Sequence, residues 1–129
     1  MIVPMLIDSD VLVWLTRGHV GAARRLHALP AWRISTVTYI ELAQGCRDKA
    51  DLARLKKGLA ARQTEIVPIT PAISQRAAEL IDALALSHGM RLADALIGAT
   101  AIELQATLIT ANVKHFSAVD GLDFEAFTP

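Results

Sequence analysis

A single interruption in an aliphatic run constrains this chain more than anything else. Val3-Pro4-Met5-Leu6-Ile7 is followed at once by Asp8-Ser9-Asp10, and Val11-Leu12-Val13-Trp14-Leu15 resumes the apolar pattern. The first run is short, and its composition suits an inner strand of a parallel sheet, buried on both faces. The second continues into Thr16-Arg17-Gly18 and reads as a short helix closed by glycine. Asp8 therefore falls at the carboxyl end of a first strand, where open α/β sheets bind their ligands. A carboxylate buried there is costly unless a positive charge meets it, and a divalent cation is the usual solution. The plainer reading is helix capping, for which Asp8, Ser9 or Asp10 would serve. Distant acids in similar positions decide between the two.

The length of 129 residues suits a single domain over 1–129 with a full core. Hydrophobic residues make up 53% and aromatics only 5%, so that core is aliphatic. Thirteen basic groups balance 13 acidic ones. Zero net charge argues against a protein that coats nucleic acid by bulk electrostatics, while leaving room for a basic surface beside an acidic pocket. The lone cysteine, Cys46, excludes an intramolecular disulfide and a cysteine-based zinc cage, and reads as a small buried hydrophobe on a helix. No apolar run reaches the roughly 18 residues of a membrane span. The N-terminus lacks a basic segment followed by an apolar stretch and cleavage site, so a cytoplasmic protein without a membrane partner is expected.

Along the chain, strands and helices alternate. Val20 to Leu29 reads as a helix stopped by Pro30, and Trp32 to Thr36 as a second strand. Ser35 to Thr38 supply hydroxyl caps for a helix starting at Tyr39, which puts Glu41 in or near its first turn, a position that suits the helix dipole. Residues 47–62 carry Arg47, Lys49, Arg54, Lys56, Lys57 and Arg62 against Asp48 and Asp51. Leu52, Leu55 and Leu59 mark an apolar face at helical spacing, so the basic residues form either a solvated face or a phosphate-tracking surface. Glu65 to Ile69 reads as a third strand, at an edge or finishing near Pro68, and Thr70-Pro71 starts a helix that His88-Gly89 closes. Arg91 to Leu104 is apolar almost all round, which marks a buried central helix. Asp94 in its first turn needs a partner, and Gly98 permits close packing. Ala106 to Thr110 is a fourth strand ending in Thr110-Ala111-Asn112; Val113 to Phe116 is a turn of helix, and Leu122 to Phe124 a last edge strand.

The fold class that follows is a three-layer α/β arrangement with a mainly parallel central sheet flanked by helices. Polar clusters recur at strand ends or helix starts: Asp8-Ser9-Asp10, Ser35 to Glu41, Asp94, and Thr110 to Asn112. Three or four carboxylates in one pocket raise each other's pKa values, and Mg2+ or Mn2+ relieves the repulsion through hard oxygen ligands. Such a site stabilises in-line displacement at phosphorus, so phosphodiester hydrolysis is the natural reaction. The sequence holds no Gly-x-Ser-x-Gly, P-loop or Gly-x-Gly-x-x-Gly.

Ile7-Asp8-Ser9-Asp10-Val11-Leu12 resembles the opening of PIN-domain ribonucleases. Thr36 to Gly45 is similar to their second motif, with its glutamate at Glu41. Leu92 to Ala101 is similar to the third, with its acid at Asp94, and Leu108 to Phe116 resembles the last block. Four blocks in order span nearly the whole chain, and its compactness resembles the toxin half of VapBC-type toxin–antitoxin pairs. The resemblance implies a Mg2+-dependent endoribonuclease (Mn2+ being an alternative), usually a homodimer, acting on RNA and restrained by a cognate antitoxin. It implies that Asp8 and Asp94 are the main metal carboxylates and that Glu41 completes the catalytic triad of acids. Ser9, Asp10, Thr110 and Asn112 would support the pocket, and Arg54, Lys56 and Lys57 would bind RNA. The fourth acidic position of many members is Asn112 here, which can accept a hydrogen bond or bind through its carbonyl but adds no charge.

Two other readings remain open on sequence. Asp8-Ser9-Asp10 after a strand also suits a haloacid-dehalogenase-like phosphatase, with Asp8 as nucleophile and Asp10 as acid/base. That family would want a later acidic pair after a strand, whereas Asp94 sits in a helix. The third reading is a non-catalytic PIN-like module that binds RNA or protein.

Overall fold

The computed structural model describes residues 4–129, so Val3, the expected first residue of the opening strand, lies outside the described residues. Five strands are present among them: β1 (Met5–Ile7), β2 (Arg33–Ser35), β3 (Glu65–Val67), β4 (Thr107–Thr110) and β5 (Phe124–Ala126). Between them run α1 (Ser9–Thr16), α2 (Val20–His27), α3 (Thr36–Gln44), α4 (Lys49–Ala61), α5 (Pro71–His88), α6 (Leu92–Leu104) and α7 (Val113–Phe116). Every ladder is parallel. β4 lies between β1 and β5, with Ile7 opposite Ile109 and Leu108 opposite Phe124. β2 pairs with β3, Ile34 opposite Ile66, and β1 packs beside β2 without a ladder joining them.

Strand residues alternate between the two faces, and this builds two cores rather than one. Leu6 and Leu108 point into the cluster with Ile73, Ala77, Ile97 and Phe116, under α5, α6 and α7. Ile7 and Ile109 point the other way, to Val11, Leu26, Ile34 and Leu59 of α1, α2, β2 and α4. The three-layer expectation follows directly from these neighbours in sequence facing opposite layers.

Several boundaries differ from the sequence expectation, each for a local reason. α1 begins at Ser9 because Asp8 caps it, accepting the Ser9 N–H at 2.8 Å. Gly18 then turns the chain at φ +82°, a left-handed geometry that glycine adopts freely. α3 starts at Thr36, not Tyr39, because Ser35 caps it through the Val37 N–H. Glu41 is therefore beyond the first turn, and the dipole explanation for it lapses. Cys46 lies just past the end of α3 and is half-buried, its thiol 3.4 Å from the Leu42 carbonyl, so it is not the buried helical residue expected. The last strand is at Phe124–Ala126 because Gly121, at φ +80°, turns Leu122 into the core.

α6 is the buried helix the composition requires, with Ala95, Ile97, Gly98, Ala99, Thr100 and Ala101 all inside. A Cβ on Gly98 would stand 3.3 Å from a ring carbon of Phe116, so the small residue sets how closely α7 approaches α6. No helix among the described residues is long and apolar enough to cross a membrane.

Candidate acidic site at the strand ends

The carboxyl ends of β1 and β4, side by side in a parallel pair, bring Asp8 and Thr110 together. The Asp8 N–H continues the ladder by donating to the Ile109 carbonyl at 2.9 Å. Its carboxylate, only 5% exposed, accepts the Thr110 hydroxyl on Oδ2 at 2.7 Å and the Ser9 N–H on Oδ1. Asp8 thus caps α1 while its carboxylate stands at the carboxyl end of the sheet, so capping does not exclude a role in a site.

Asp10, in the first turn of α1, points back at the same strand end. Its carboxylate accepts the Ala111 N–H at 3.2 Å, with the Thr110 hydroxyl 3.5 Å away. Thr110 also accepts the Asn112 N–H at 2.9 Å. Burial, and then the charge of Asp10, push Asp8 up to about 7; Thr110 and the Ser9 N–H pull the other way, and Asp94 adds to the rise. Asp10 is itself raised by burial, against the hydrogen bonds from Ala111, Val11 and Thr110, with a further push from Asp94. Asp94 therefore lies within electrostatic reach of both, although it is carried by a different helix.

Glu41 joins from α3 through Ser9, whose hydroxyl donates to Oε1 at 2.9 Å and lies 3.4 Å from Asp8 Oδ1. Asp94 finds its partner in His115, whose Nδ1 lies 2.8 Å from Oδ2. Sequence reasoning missed His115. Its spacing of three from Asn112 on a short helix was the available signal, and the Asn112 amide does lie 3.0 Å from the same ring nitrogen.

All the expected acids thus face one end of the sheet. They do not close on one point: among the described residues no three histidine, cysteine or carboxylate side chains are grouped closely enough to hold a metal. The donor chemistry nevertheless fits a hard divalent cation. It is all oxygen on the carboxylate side, no lysine or arginine pairs with Asp8, Asp10, Asp94 or Glu41 among the described residues, and Asp8 carries the raised pKa of an uncompensated carboxylate.

Beside the acids runs an open groove of about 1400 Å3 between α1, α3 and α4. Ser9, Asp10 and Glu41 are among its lining residues. Leu12, Leu42, Leu55 and Leu59 make its walls, with Arg17, Arg47, Arg54 and Arg62 along it. Lys56 and Lys57 are exposed on α4 but do not line the groove. Arg54 and Arg47 both pair with Asp51.

The PIN domain family model matches residues 5–122. Ribonuclease VapC10 of Mycobacterium tuberculosis is 35% identical over 127 residues, covering 92% of this chain and 90% of that protein. Among solved structures, a toxin–antitoxin complex from Klebsiella pneumoniae has a chain 29% identical at a TM-score of 0.78, covering 92% of this chain and 94% of that one. VapBC2 from Rickettsia felis, at 22% identity, has the same fold with a TM-score of 0.81 over 96% of this chain and 98% of its own. The chain belongs to the PIN-domain family, with VapC-type ribonucleases as its relatives.

Proposed function

We propose that this chain is a divalent-metal-dependent endoribonuclease and the toxin half of a VapBC-type pair, with Asp8, Glu41 and Asp94 as its catalytic acids. VapC-type PIN nucleases generally depend on divalent metal. The observation that carries the reading is the buried Asp8 carboxylate, with Asp10 and Asp94 within electrostatic reach and, among the described residues, no lysine or arginine paired with any of the three. Asp8 and Asp94 would hold Mg2+ (or Mn2+) directly, and Glu41 would complete the set. When bound, the ion supplies Lewis acidity that offsets charge gathering on the phosphate oxygens.

The chain's own groups do the rest. Thr110 fixes the Asp8 carboxylate by one oxygen. Ser9 orients Glu41, which is exposed and so free to take a proton from an attacking water. That water forms the new bond to phosphorus as the bond to the leaving ribose oxygen breaks. Arg54, Lys56 and Lys57 would meet the RNA backbone, and the antitoxin would cover the groove and the acids through an arginine that matches clustered carboxylates. Exposed Ile40, Leu86 and Leu92 suit a homodimer contact.

The test is cleavage of RNA by purified protein with Mg2+ or Mn2+, beside hydrolysis of a small phosphate monoester. RNA cleavage should stop with chelator, and Asp94→Asn should lower it roughly 100-fold or more, the scale of several kcal/mol of charge stabilisation. Unchanged cleavage by Asp94→Asn would remove Asp94 from the site.

A further inference from the structure

We infer that His115 is a positioning residue for the acidic site: its Nδ1–H holds Asp94 by one carboxylate oxygen and leaves the other for the ligand. The inference rests on the reading of Asp94 as a site acid. Among the described residues, both hydrogen bonds to the Asp94 side chain fall on Oδ2, from His115 Nδ1 at 2.8 Å and from the Arg91 N–H at 3.4 Å. The second is long for an N–H···O bond, so the imidazole contact dominates. A carboxylate only accepts, so Nδ1 carries the hydrogen whatever the charge on the ring. The Asn112 Nδ2 lies 3.0 Å from the same Nδ1; turning the amide over, which keeps its shape, replaces this donor–donor contact with an oxygen that shares the Nδ1–H.

The geometry is held from behind. Phe116, next to His115 on α7, is fully buried and wedged against Gly98, one turn beyond Asp94 on α6. His115 and Asp94 are themselves largely shielded, with side chains 23% and 18% exposed. The two helices are thus locked with imidazole facing carboxylate. Orienting a ligating group through an outer hydrogen bond strengthens metal binding and fixes its direction.

The test compares His115→Ala, His115→Asn and His115→Gln by calorimetric titration with Mn2+ alone, and then by RNA cleavage. Thermal melts show which variants are folded. Asparagine carries its amide nitrogen on the same carbon as the histidine Nδ1; glutamine carries it one carbon further out. Alanine and glutamine should weaken Mn2+ affinity roughly ten- to hundredfold, and asparagine should restore it to within about threefold of wild type. His115→Ala should cost nothing further in a chain already bearing Asp94→Asn. Wild-type affinity in His115→Ala, or asparagine no better than glutamine, would overturn the role of His115 alone. Mn2+ binding untouched by Asp94→Asn would instead overturn the parent assignment of Asp94, and the inference with it.

Discussion

The Thr110 hydroxyl donates to Asp8 Oδ2 at 2.7 Å, across the parallel β1–β4 pair and 102 positions along the chain. A hydroxyl has one hydrogen, and this one goes to the acid while its oxygen accepts the Asn112 N–H. The bond favours the ionised form of Asp8, which burial opposes. Thr110→Val keeps the branched shape and removes the donor. We expect the acidic limb of the pH–rate profile to move to higher pH, and cleavage at pH 7 to fall about tenfold, the equivalent of about 1.4 kcal/mol. An unmoved acidic limb would show that Thr110 does not tune Asp8.

The raised Asp8 also has a consequence for stability in the absence of metal. Its pKa is about 7 in the folded chain against 3.8 for the free side chain. Between those values the folded state keeps a proton that the unfolded state has lost. The contribution of Asp8 is therefore full below about pH 4 and is lost as pH rises through about 7. Denaturant melts in chelator should show wild type losing stability over that window relative to Asp8→Asn, which cannot titrate there. Adding Mg2+ should recover the loss. A wild-type minus Asp8→Asn difference that stays flat with pH would contradict the burial argument.

On α4 the basic residues divide. Arg54 pairs with Asp51 and lines the groove, whereas Lys56 and Lys57 are exposed and make no ion pair among the described residues. If the lysines meet phosphates, Lys56→Ala with Lys57→Ala should flatten the log–log salt dependence of RNA binding by about 1.4, at about 0.7 per contact for single strands. Folding should be unaffected, since exposed charges contribute little to stability. A wild-type salt slope would assign them to a solvated face.

That Asp8 and Thr110 share one end of the sheet was legible in the sequence, because parallel strands all finish at the same edge; that β1 and β4 are adjacent is set by the fold. Asp94 could be placed at the start of a buried helix for a different reason: Arg91 to Leu104 is apolar almost all round. Glu41 was harder: Ser35 had two hydroxyl competitors, Thr36 and Thr38, and its choice as cap moves the helix start by three residues and Glu41 out of the first turn. Leu122 has the composition of a strand residue but serves the core, and only the chain reversal at Gly121 distinguishes the two. The spacing of three between Asn112 and His115 was a local signal, but neither the contact of His115 with Asp94 nor the groove could be read from it. Both depend on how α6 meets α7 and how α1, α3 and α4 splay apart, which are packing distances.

Asp10 separates the two enzyme readings. In a phosphatase it would donate and remove a proton during transfer to Asp8, so it would have to ionise, and Asp10→Asn would cost several orders of magnitude. In the structure its carboxylate accepts the Ala111 N–H, a bond that an asparagine oxygen can also accept. Its other effect is electrostatic: after burial, its charge is the main cause of the raised Asp8. Asp10→Asn removes that charge and keeps the hydrogen bond. RNA cleavage should therefore stay within about tenfold, or about 1.4 kcal/mol, of wild type. Its acidic limb should move to lower pH, opposite to the shift in Thr110→Val. Asp8→Asn should abolish turnover and serves as the control. If monoester turnover vanished in Asp10→Asn while wild type cut no RNA, the phosphatase reading would replace the nuclease one.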